Sequence, residues 1–193
     1  MKYLCSVFLF IVCVAGAQST PAAGAPKPVS ITPLIQKQFG STFTPATKLP
    51  LTVLTADFDA DGVEDVVIVA DSKDPLPDSY QFKYEVADPY NAYFGMGDPR
   101  MTAGYGKSDP DHNHPLLVIF GAGQEAWHSD TPKAKFVLVN VPFDSIEIGR
   151  MLIKKNKPPI FVIKAIEARI MDSSVWWDMK RKKWKWEPGD TLE

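Results

Sequence analysis

Apolar residues along this chain fall into short runs separated by turn-formers, with little spacing of the helical kind. The runs are 51–56 (LTVLTA), 66–70 (VVIVA), 116–120 (LLVIF), 135–141 (KFVLVNV), 145–153, 160–166 (IFVIKAI), 174–178 (SVWWD) and 183–187 (KWKWE). They are rich in β-branched and aromatic residues and bounded by Gly, Pro, Asp and Asn, which reads as strands. VVIVA and LLVIF are apolar without interruption, so both of their faces are expected to be covered. One helix is expected at 33–39, with Thr32 as N-cap, Pro33 at its first position and Gly40 as its stop. The fold class that follows is mainly β: antiparallel sheets and one short N-terminal helix. A long insertion, 71–115, interrupts the pattern with Pro, Gly and Tyr. Insertions of that length are often functional, and the alternation of YQFKYEV at 80–86 allows a strand within it.

Between the first two runs stands DFDADGVED, at 57–65. Carboxylates at loop positions 1, 3 and 5 come from Asp57, Asp59 and Asp61. Gly62 permits the sharp turn, the Val63 carbonyl stands at position 7, and Asp65 at position 9. A hard cation such as Ca²⁺ takes six to eight oxygens, and this spacing wraps them around one point. Mg²⁺ suits it less, because it dehydrates reluctantly. Position 12 is Ile68 rather than a bidentate Glu, and the flanks are strands, so the loop is not an EF-hand. The alternative is an acidic surface turn that binds no metal.

Strand, DFDADGVED, VVIVA and then LLVIFGAG together resemble the FG-GAP/VCBS repeat, the calcium-loop blade of integrin-type β-propellers. That resemblance implies that 51–56, 66–70, 116–120 and 135–141 are four strands of one blade, and that Ca²⁺ is held between the first two. Ala60 stands where the family often has Gly. A closed propeller needs at least four blades, and only one such motif is present, so one FG-GAP/VCBS-like blade within a single domain is expected, not a closed propeller. The chain also resembles small secreted bacterial proteins that end in a W-D-x-K-x-x-x-W hairpin, here Trp177 to Trp184.

The N-terminus changes the compartment. Lys2, an apolar run over 4–14 and Ala15-Gly16-Ala17 form a three-part signal peptide, residues 1–17. The apolar run is shorter than the ~20 residues a membrane-spanning helix needs, and no later segment is apolar enough to span. Residues 18–31 read as a flexible Ala/Pro-rich leader, and 32–193 as one domain. A secreted or periplasmic location follows. Both cysteines, Cys5 and Cys13, lie in the signal, so the mature chain is expected to lack disulfides, a thiolate nucleophile and cysteine-bound zinc. The formal net charge of −2 becomes −3 when Lys2 is removed, which disfavours nucleic acid as a partner.

Two other clusters carry candidate chemistry. His112 and His114, with Asp109 and Asp111, offer imidazoles and carboxylates, and His128 offers a third ring. They fit a solvated loop more readily than a transition-metal site, which wants three or four ligands. Trp176, Trp177, Trp184 and Trp186, with Lys180, Arg181, Lys182, Lys183 and Lys185, make an aromatic, basic hairpin. Cross-strand packing of the tryptophans is the expectation, and a surface for polyanion or carbohydrate is the alternative. No nucleophile motif is present. The functional expectation is an exported calcium-binding β domain that binds an extracellular protein or polysaccharide, its calcium structural rather than catalytic. A cell-envelope hydrolase with its site in 71–115 is the alternative.

Overall fold

A computed structural model describes residues 30–49, 52–72, 74–96, 114–168 and 171–189. The signal peptide, nearly all of the leader, and His112 with Asp109 and Asp111 lie outside these residues. The first helix, α1, spans Ile31–Phe39. Its N-cap is Ser30 rather than Thr32, and Pro33 falls within the first turn, where its missing N–H has no intrahelical partner to lose. Ile35 and Phe39, one turn apart, are fully buried, and Gly40 ends the helix at φ 96°.

The strands are β1 (Phe43–Pro45), β2 (Val53–Ala56), β3 (Asp65–Ser72), β4 (Glu85–Ala87), β5 (Leu116–Phe120), β6 (Ala134–Leu138), β7 (Ser145–Met151), β8 (Ile160–Glu167), β9 (Met171–Asp178) and β10 (Lys183–Pro188). They form two open sheets, and neither closes into a propeller. In the first sheet β2, β3, β5 and β6 lie side by side, all antiparallel. β1 pairs the far half of the edge of β3 that β2 occupies, and β4 adds in parallel outside β6. The second sheet is an antiparallel meander, β10-β9-β8-β7.

Sheet one is covered on both faces, as the uninterrupted apolar runs require. Val67, Val69, Leu116, Val118, Phe120 and Leu138 point toward sheet two and meet Ile146, Ile163, Val175, Trp184 and Trp186. Their alternates Val66, Ile68, Leu117, Ile119 and Val137 face Ile35 and Phe39 of α1, with Phe43, Tyr84 and Trp127. Period-two alternation thus feeds two separate cores from one central sheet. Lys135 fastens the helical layer, its half-buried ammonium donating to the carbonyls of Gln38 (2.8 Å) and Phe82.

The insertion does hold a strand, β4, but of residues 80–86 only Glu85 and Val86 belong to it. Ser79–Phe82 is a helical turn, α2, ended by Lys83 in the left-handed region at φ 54°. The alternation would have placed Tyr80, Phe82 and Tyr84 on one face, yet Tyr80 is 95% exposed and Tyr84 buried. Tyr84 packs on Phe39 and Phe43 at 5.6 and 5.8 Å and donates to the Pro75 carbonyl. Packing on α1 overrides the local preference, as tertiary context often does for short alternating runs. A third helix, α3 (Pro89–Tyr93), is capped by the buried Asp88, which accepts from the Asn91 N–H at 2.9 Å. No helix among the described residues is long and apolar enough to cross a membrane.

Candidate metal centre

The loop between β2 and β3 is wound by its own aspartates. Asp57 accepts the N–H groups of Asp61 (3.0 Å) and Gly62 (2.8 Å), and Asp61 Oδ1 accepts that of Val63 (2.9 Å). Gly62 sits at φ 88°, the left-handed conformation expected of it, and Ala60 shares that region at φ 55°. So the turn makes two left-handed demands where the sequence signalled one, and a Cβ is strained at the first. Asp57, Asp59 and Asp61 each bring one carboxylate oxygen within 4.8 Å of the other two.

Asp65 stands apart from that trio. It is 1% exposed, and both of its oxygens are engaged by backbone: Oδ2 by the N–H groups of Phe58 (2.8 Å) and Asp59 (3.3 Å), Oδ1 by that of Gly121 (2.8 Å). Rather than completing the convergent set, it ties the loop to the end of β5. Burial pushes its carboxyl up to about 7, even though the three N–H donors favour the ionised form. The approach is close: a Cβ on Gly121 would come within 2.3 Å of the Glu64 carbonyl, so only glycine fits there. Glu64 points away from the trio, accepting the Trp127 indole N–H at 2.9 Å.

A cation from the chain itself reaches the trio. Lys133 Nζ lies 2.5 Å from Asp59 Oδ2 and 2.6 Å from Asp61 Oδ2. Its backbone N–H donates to the Phe120 carbonyl at 3.0 Å, which fixes where the side chain starts. Burial raises the Asp59 carboxyl, and Lys133 only partly offsets it. Burial acts the same way on Asp61, but there hydrogen bonds from Lys133 and Val63 prevail and the carboxyl titrates below its ordinary range. Burial alone would lower the Lys133 ammonium, but its two carboxylate partners outweigh that and raise it. Asp59 Oδ1 is buried with no hydrogen-bond partner. Lys133 lies 74 residues from Asp59 in sequence, and no local pattern singles it out.

The two described histidines, His114 and His128, do not gather. His114 is buried and pairs through Nδ1 with Asp71 Oδ1 at 2.7 Å, while His128 is exposed and lies against Trp127. Asp71 sits near one end of β3, and Glu64, which holds Trp127, precedes the other end. That separation is about 23 Å at the rise of an extended strand. In the insertion, a shallow depression is lined by Ser79, Tyr80, Gln81, Lys83 and Tyr84, with no histidine or carboxylate to act as a base.

The tryptophan hairpin packs inward. Trp184 pairs with Trp177 and Trp186 with Val175, so all four share the face toward sheet one. Trp184 meets Phe120 at 5.8 Å, and Trp186 meets Tyr90 and Tyr93 of α3 at 5.0 and 5.1 Å. Because α3 follows β4 at the Leu138 end of β6, the hairpin tip runs past the Phe120 end, where Gly121 holds Asp65. Trp176 lies on the opposite face with Lys185 above its ring at 4.9 Å. Lys180, Arg181, Lys182 and Lys183 are exposed at the tip. Comparison with family models, with curated proteins and with solved structures finds no match, so function is read from the geometry alone.

Proposed function

We propose that this chain is an exported β domain whose 57–65 loop binds one calcium ion. The ion's role is structural, and the domain serves as a binding module for an extracellular protein or polysaccharide. One observation carries the reading: a buried carboxylate oxygen, Asp59 Oδ1, lacks any donor beside two further carboxylates converging on the same point. A buried carboxylate oxygen left without a donor is costly even where the other oxygen is paired, and a hard cation with oxygen ligands relieves it. Asp57, Asp59 and Asp61 would supply the carboxylates. Asp65 would hold the loop's backbone in register, and the ion would bind the loop more firmly to β3.

Thermal melts in calcium and in chelator test this. A ligand of the native state stabilises it by about 2.7 kcal/mol at a hundred times its Kd. The melting temperature is expected to rise with calcium in the wild type and in Glu64→Ala, and to be insensitive to it in Asp59→Ala and Asp61→Ala. Equal wild-type melting temperatures in saturating calcium and in chelator would overturn the reading. A second reading, a polyanion surface, is favoured by the exposed run Lys180 to Lys183. It requires salt-sensitive retention on heparin that falls when Lys182 and Lys183 are neutralised.

A further inference from the structure

We infer that Lys133 is a built-in competitor for the cation, so that calcium enters the loop by exchange with the lysine ammonium. The inference rests on the calcium reading above and adds what sets the affinity of that site. The ammonium and an incoming cation draw on the same two carboxylates, since Lys133 Nζ is in contact with Asp59 Oδ2 and Asp61 Oδ2 at 2.5 and 2.6 Å, while the donor-less Oδ1 belongs to that same Asp59. Charge-assisted bonds of this length are strong, and an ammonium and a divalent cation gathered on the same pair of carboxylates repel each other at short range.

The geometry also allows the exchange to proceed without refolding. The backbone of Lys133 stays on β5 through its N–H bond to the Phe120 carbonyl. Its side chain is 47% exposed, so rotation about side-chain bonds is enough to carry the ammonium into water. Asp57 has no bond to Lys133, its carboxylate being held by the Asp61 and Gly62 N–H groups. It therefore remains as the first point of contact for an arriving cation. Asp59 and Asp61 follow as the lysine leaves.

A competitor has a signature that a purely structural lysine lacks: its removal moves two properties in opposite directions. Lys133→Met keeps the length of the side chain and removes the charge. In chelator its melting temperature is expected to fall, because Asp57, Asp59 and Asp61 then repel without a counter-ion. By titration calorimetry with calcium chloride its Kd is expected to tighten about ten-fold. Lys133→Arg, which retains the charge, is expected to keep the weaker affinity.

Calcium binding with equal Kd in the wild type and Lys133→Met would overturn the competitor role and leave the calcium reading intact. No binding to either would overturn both. Should Lys133→Met fail to fold, ¹⁵N-detected lysine ammonium spectra of the wild type serve instead. The Lys133 resonance, protected by two carboxylates in chelator, is expected to move to the solvent-exposed position as calcium is added. A resonance unmoved at saturating calcium overturns the proposal.

Discussion

Residues 57–65 carry four aspartates and residues 178–185 five lysines and arginines, and both segments lie toward the same end of the molecule. The fold treats them in opposite ways. In the aspartate loop charge is drawn inward, with Asp59 and Asp65 buried, three carboxylates converging and Lys133 brought to meet them. In the hairpin the aromatic rings go inward and the cations stay in water, joined locally to Asp178 by Arg181 (3.3 Å) and Lys185 (3.8 Å). Density of charge is therefore a poor guide to chemistry. Convergence and burial separate the two regions, because only desolvated charges interact strongly enough to demand a partner.

That contrast can be broken at several points. The largest effect is expected on the hairpin's apolar side. Trp184→Ala removes a buried ring stacked among Phe120, Phe136 and Trp177 and should cost about 3–5 kcal/mol in urea unfolding. The calcium-induced shift should survive in that variant, because the loop's ligands are untouched.

Next comes Asp65→Asn. It places an amide NH₂ where an acceptor faces buried N–H groups of Phe58, Asp59 and Gly121. A loss of about 2–3 kcal/mol is expected from unsatisfied donors, present even in chelator, where Asp61→Ala should cost less.

Titration gives the third test. Burial holds the Asp65 carboxyl at about 7 in the folded chain, above its unfolded value near 4. The folded state therefore binds a proton more tightly, and the stabilisation this gives is fully present below the unfolded value. It is lost as pH rises through the folded one. In chelator, stability should decline between about pH 4 and about pH 7 from this group, and Asp65→Asn should remove that slope.

Smaller effects follow. Ala60→Gly relieves a left-handed Cβ at φ 55° and should gain about 0.5–1 kcal/mol by thermal melt. Neutralising Lys182 and Lys183, both exposed, should change stability by no more than about 0.5 kcal/mol. A loss several times larger would show that the hairpin's charges are structurally engaged and collapse the contrast.

Much of the fold was legible from local pattern. Eight apolar runs appear as strands with ends displaced by a few residues, and the expectation of double coverage for VVIVA and LLVIF holds at Val66 to Ala70 and Leu116 to Phe120. The insertion was less legible. There Phe82 and Tyr84 had to reach α1, and a helical turn with a left-handed Lys83 does so where a strand would not. Of the five residues expected at the metal site, Asp57, Asp59 and Asp61 converge; Val63 contributes an N–H to Asp61, and Asp65 braces the backbone.

The sequence by itself determined the strand runs, the turn-forming glycine and the three alternating carboxylates, because each depends on neighbours within a few positions. Tertiary structure alone decided that Asp65 serves Gly121, 56 residues away, and that Lys133 meets Asp59 and Asp61. It also decided that the imidazoles of His114 and His128 stay apart. These partnerships are made between strands, where register and sheet order place side chains, and nothing in the local spacing of the chain encodes them.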